Sequence, residues 1–145
     1  RAALVLLGDG QAGEDGLLQP REIARYNLRA RLVVLSACDT AVGPTLGQEG
    51  VVNLARAFLV AGAGAVMTSL WPVDDTLSAA LMRAFYGHLA RGETLTEALR
   101  RAKTELGRRF GAKGQATFGA FQLIGDGSRR LSVGAAGARA TGGSD

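Results

Sequence analysis

Hydrophobic and polar positions along this chain switch repeatedly between two periods. Leu32-Val33-Val34-Leu35 is an uninterrupted apolar, β-branched run that passes through Ser36 and Ala37 and stops at Cys38-Asp39-Thr40. Such a run predicts a strand over 32–37 that is buried on both faces, as in a parallel sheet covered by helices. Shorter runs of the same kind predict strands at Ala2–Leu7, Ala65–Leu70 and Phe118–Ile124. Between them the apolar positions recur three and four apart, the signature of amphipathic helices. Val51, Leu54, Ala55, Phe58 and Leu59 predict a helix over Gln48–Ala61, closed by Gly62 and Gly64. Leu77, Leu81, Phe85 and Leu89 predict another, capped by Asp74 or Asp75 and closed by Gly92. Pro20 opens a short helix to Tyr26, and the capping-box spacing of Thr94 and Glu97 opens one that runs to about Phe110. Gly111–Gln115 reads as a loose stretch.

Strand–helix alternation of this kind predicts an α/β protein, a three-layer α/β/α sandwich with a mainly parallel sheet. Residues 1–127 form the expected domain, and 128–145, rich in Gly, Ala and Ser, read as a disordered or linker-like tail. A chain of 145 residues with 47% hydrophobic residues has enough material for one core. No stretch approaches the roughly 20 apolar residues of a membrane span, and no leader with a cleavage site is expected. The single cysteine excludes an internal disulfide and suits a reducing, cytoplasmic setting. Half of the +4 net charge falls in the tail, with Arg129, Arg130 and Arg139 against Asp145. The remainder is spread without basic runs or interleaved aromatics, so nucleic acid is not an expected partner.

Cys38 lies where the central strand stops, and reacting groups in open α/β sheets gather beyond the carboxyl ends of the strands. Free cysteines are also among the most buried residues, so inert packing is the competing reading. Ser36 and Ala37 are small enough for a substrate backbone to approach, and nearby amides are candidate donors to a developing oxyanion. Asp39, Asp74 and Asp75 fall just beyond strand ends, where they suit a basic substrate side chain, a helix cap or a solvated loop equally. Asp75 reads as a cap alone. Gly8-x-Gly10-x-x-Gly13 formally matches a dinucleotide fingerprint, but no helix opens inside it, and Glu14 and Asp15 would face the anion. No cofactor is expected. His88, the only histidine, borders the apolar stripe of a helix and reads as structural; one His and one Cys without clustered carboxylates do not make a metal site.

Several motifs occur together and in order: 32–40, Gly47-Gln48-Glu49-Gly50, Leu54-Ala55-Arg56-Ala57-Phe58, Ala61-Gly62-Ala63 and Ser69-Leu70-Trp71-Pro72-Val73-Asp74-Asp75. They continue through Phe85-Tyr86, Ala98-Leu99-Arg100-Arg101-Ala102-Lys103 and Ala120-Phe121-Gln122-Leu123-Ile124-Gly125. Over about residues 3–127 the chain resembles the CHAT domain, the caspase-like module usually fused to tetratricopeptide repeats in bacteria.

The resemblance implies a caspase-like fold and, in active members, a cysteine endopeptidase with a Cys-His dyad, in which Cys38 falls on the nucleophile. It also implies a protein or peptide substrate and tetratricopeptide repeats in the parent chain. In this clan the histidine precedes the cysteine, in an Ala-Thr-His-Gly-like motif at the end of the neighbouring strand; His88 lies on the other side and does not match. The chain is therefore expected to be a fragment whose upstream part supplies strand, histidine and repeats. Without an imidazole partner, Cys38 carries little thiolate at neutral pH. Asp39 and Asp74 are expected as rim acids favouring a basic residue before the scissile bond. The alternative is a non-catalytic interaction and signalling module. Two departures from the family pattern are Ala41, where glycine is common, and Gly119, where Trp or Ala is common and which is expected to sit away from the chemistry.

Overall fold

A computed structural model describes residues 4–5, 17–35 and 48–131 of the chain. Its elements are β1 (Leu4–Val5), β2 (Leu17–Leu18), α1 (Pro20–Ile23), β3 (Val33–Leu35), α2 (Gln48–Val60), β4 (Ala65–Ser69), α3 (Asp75–Ala90), α4 (Leu95–Gly119) and β5 (Phe121–Gly125). The architecture is mixed α/β. β1 and β2 form a two-stranded antiparallel ribbon, and a three-stranded sheet runs β3-β4-β5.

Topology follows from how many helices separate the strands. Among the described residues one helix, α2, lies between β3 and β4, and the pair is parallel with Val33 opposite Val66 and Leu35 opposite Thr68. Two consecutive helices separate β4 from β5, so the chain returns in the opposite sense. Ala65 faces Gly125 and Ser69 faces Phe121 in an antiparallel pair. The described sheet therefore holds one parallel and one antiparallel pairing, where a mainly parallel sheet was expected.

β4 is buried at every position, and successive side chains on a strand point to opposite faces. Ala65 and Met67 join one core cluster with Leu77, Leu81, Phe85 and Leu89 of α3 and with Leu95, Leu99, Leu106 and Phe118 of α4. Val66 joins the other, with Ile23, Leu35, Leu54, Ala55, Ala57 and Ala61. The α3 stripe is the one the spacing predicts. On α2 the buried line is Leu54, Ala55 and Ala57, while Phe58 and Leu59 are half-buried; alanines in that line let the helix lie close.

α2 ends at Gly62, whose φ of 106° is left-handed; its N–H reaches Leu59 O at 3.0 Å, and Ala63 N–H reaches Phe58 O at 3.0 Å. A Cβ on Gly62 would overlap the carbonyl oxygen of Leu28. This close approach, with Leu28 N–H donating to Ala61 O at 2.6 Å and Gly64 N–H to Ala30 O at 2.9 Å, docks the segment that feeds β3.

α4 differs most from expectation. It continues through Gly111–Gln115 to Gly119, bending at Gly111, where φ is 59° and ψ is −143°. Glycines there suggest a loop by composition, but burial of Gly114, Thr117 and Phe118 and the edge-on contact of Phe118 with Phe110, 6.3 Å between centroids, hold the second segment helical. Phe118 is thus helical, and the last strand begins at Phe121. Ser128–Leu131, read with the tail, lie against the domain: Thr94 bridges Arg130, Leu95 N–H donates to Arg129 O at 3.0 Å, and Leu131 packs on the first cluster. Among the described residues no helix is long and apolar enough to cross a membrane. The glycine fingerprint at Gly8, Gly10 and Gly13 lies outside the described residues.

Candidate functional site

β3 and β4 are parallel neighbours, so the chain leaves both at the same edge of the sheet. The last described residue of β3 is Leu35; Cys38, Asp39 and Ala41 lie outside the described residues. Beyond β4, Leu70 N–H is held by Ala120 O at 3.0 Å, and the chain turns through Trp71 and Pro72 to Asp74. Within β4 itself, the Ser69 side chain is buried and its hydroxyl has no hydrogen-bond partner among the described residues.

Asp74 is the N-cap of α3. Its extended backbone, φ −64° and ψ 126°, lets Oδ1 accept from Leu77 N–H at 3.0 Å, and its carbonyl accepts from Ser78 Oγ at 2.8 Å. Oδ2 lies 3.4 Å from Lys113 Nζ, brought there by the helical continuation of α4. The Leu77 amide foremost, and then Lys113, hold the Asp74 carboxyl below the usual aspartate range. Lys113 was not singled out by the sequence, because Gly111–Gln115 does not read as helix. Asp75 begins α3.

Gly119 lies beside this turn. A Cβ there would be 3.9 Å from the Trp71 ring, so the position adjoins the Trp71–Asp75 segment. Trp71 is half-exposed.

His88 is taken up elsewhere. Its side chain is 9% exposed, and Nδ1 lies 2.7 Å from an Arg91 nitrogen and 3.0 Å from Glu93 Oε1. One ring nitrogen serves one of these at a time: bare, it accepts from Arg91; protonated, it donates to Glu93. His88 chiefly, with Arg101 and Arg91, holds Glu93 below the ordinary glutamate value. Across on α4, Glu97 does not complete a capping box. Thr94 Oγ1 accepts from Glu97 N–H at 3.3 Å, but the carboxylate turns to Arg100, with contacts of 2.6 and 3.1 Å, and to Arg101 at 3.0 Å. These guanidiniums lower its pKa to about 2. Among the described residues no cluster of His, Cys, Asp and Glu is arranged to hold a metal ion.

The motifs and this frame meet in one family. The CHAT domain matches residues 1–126, and the chain belongs to that family, a caspase-like, peptidase-related module. Two relatives are mammalian. The chain is 41% identical over 76 residues to mouse tetratricopeptide repeat protein 28, which is 52% of this chain and 3% of that protein. It is 33% identical over 112 residues to the human tetratricopeptide repeat protein 28, covering 77% of this chain and 4% of the relative. The chain thus spans a few per cent of the length of the curated relatives it matches.

Proposed function

We propose that this chain is the nucleophile-bearing part of a cysteine endopeptidase domain of the caspase-like clan, within a protein that also carries tetratricopeptide repeats. Cys38 attacks the peptide carbonyl, and the imidazole that activates it comes from outside these residues. The observation that supports the reading is the parallel β3–β4 pair in a CHAT domain, with Cys38 next after β3 in the sequence and Asp74 beyond the end of β4. Core clusters on alternate residues of β4 support the three-layer, caspase-like architecture. We place the domain at residues 1–127, with Ser128–Leu131 packed against it and the rest of 128–145 as a linker-like tail. The expected setting is the cytoplasm, with protein or peptide as substrate and no cofactor.

Asp39 and Asp74 act in this reading as rim acids that favour a basic residue before the scissile bond. Asp74 is already engaged, so a substrate cation takes the place of Lys113 at Oδ2 while Oδ1 keeps the cap. The alternative is a non-catalytic module that signals by binding, in which Cys38 has no imidazole partner.

An electrophilic peptide probe applied at neutral pH to the protein with its upstream sequence separates the two. Labelling lost on Cys38→Ala supports the peptidase. Absence of labelling in a folded protein supports the binding module, and cleavage that survives Cys38→Ala overturns the nucleophile.

A further inference from the structure

We propose that α4 carries a binding trough for an extended acidic peptide segment, walled by Arg100, Arg101, Lys103 and Arg108. This does not rest on Cys38. Arg100, Thr104 and Arg108 are spaced four apart and so form one row along α4. Two depressions of about 390 and about 400 Å³ open on this helix, and they share Thr104 and Arg108. Together they make an elongated trough, with His88, Arg100 and Arg101 at one end and Lys103 and Gln115 at the other.

Its polar groups are poised for an acceptor. His88 Nε2 is buried and has no hydrogen-bond partner; the nearest anion, Glu105 Oε2, stands 3.6 Å away in the same wall. Arg108 is exposed and has no acidic partner among the described residues. Lys103 is half-buried, donates one hydrogen bond to Phe121 O at 2.5 Å, and has further N–H groups to offer. Burial pushes its ammonium below the ordinary lysine value, and an incoming carboxylate offsets the lost solvation.

The occupant follows from charge and shape. Arg100 already grips one carboxylate, Glu97, through two nitrogens, so the wall shows the geometry it uses for such a group. Glu93, Glu97 and Glu105 are the acids beside these four cations, Glu93 on Arg101 at 3.5 Å, Glu97 on Arg100 and Arg101, and Glu105 in the wall, so Lys103 and Arg108 are the cations without an acidic partner among the described residues. Glu105 within the wall weakens binding of the dense charge of a phosphodiester chain, and the lining offers no exposed aromatic ring for base stacking. Spaced carboxylates on an extended peptide suit it.

The test is fluorescence anisotropy of labelled hexaglutamate with the protein carrying its upstream sequence, beside labelled hexaglutamine and a thymidine hexanucleotide. Hexaglutamate should bind, more weakly as salt rises. The Arg100→Ala/Arg108→Ala double variant should weaken it roughly fivefold to tenfold, and Glu105→Gln should tighten it about twofold. Arg108→Glu alone disturbs no described contact and keeps the result interpretable if the double variant unfolds. Cys38→Ala should bind as the parent does. Equal binding of hexaglutamine, or hexaglutamate binding untouched by Arg108→Glu, overturns the proposal. Tighter binding of the nucleotide through the same arginines also overturns it and assigns the trough to nucleic acid.

Discussion

Replacing Gly62 by alanine isolates what docks the helix α2 terminus on the segment feeding β3. Gly62 has φ 106°, and an L-residue in the left-handed region costs about 1–2 kcal/mol. The added Cβ would also overlap Leu28 O, so the chains must part. That strains the 2.6 Å bond from Leu28 N–H to Ala61 O, a bond worth about 0.5–1.5 kcal/mol. Together Gly62→Ala should cost about 1.5–3.5 kcal/mol. Gly92 is the internal control. Its φ is 82°, yet a Cβ there meets nothing within 4 Å, so Gly92→Ala carries the backbone strain alone. Urea unfolding followed by far-UV circular dichroism measures both, and the unfolding slope should not change. Equal costs for the two variants, to within about 0.5 kcal/mol, would refute the idea that the Leu28 contact holds α2 against the β3 lead-in.

Acid should destabilise the domain. Glu97, held at about 2, and Glu93, Asp74 and Asp126, held below their ordinary values, bind fewer protons folded than unfolded. Their contribution is therefore complete above the unfolded range, 3.8 for Asp and 4.5 for Glu, and fades as pH falls toward 2. A circular dichroism titration in which Glu97→Gln leaves the acid limb unchanged would contradict this. At α3, Asp74→Ala should lower the thermal midpoint while Asp74→Ser, which keeps a cap acceptor, should restore most of it; equal losses would deny the cap. Gly119→Ala should stabilise by about 0.5–1 kcal/mol, since the position is helical and a methyl 3.9 Å from Trp71 is an ordinary contact; a lowered midpoint would show that the turn has no room.

Much of this domain was written locally. A run of β-branched residues makes β3 and β4 strands, and the spacing of Leu77, Leu81, Phe85 and Leu89 places α3 with its buried face. Gly62 marks the end of α2 because a left-handed residue closes the helix there. Cys38, Asp39 and Asp74 were legible as candidates because strand ends are where an α/β sheet exposes its chemistry. Other features depend on which of several competing contacts wins in the folded chain. Composition makes Gly111–Gln115 a loop, yet packing of Phe118 under Phe110 keeps it helical and carries Lys113 to Asp74. Glu97 has capping-box spacing, but two arginines a turn away outcompete one backbone amide for its carboxylate.

On its own, then, the sequence determined most of the strand and helix segments and which family the chain belongs to. Those properties depend on local period, on turn residues and on motif order. The tertiary structure decided the sense of β5, the bend and length of α4, and the meeting of Lys113 with Asp74. Each of these turns on which distant surfaces meet, and burial, charge pairing and chain direction settle that only once the core has closed.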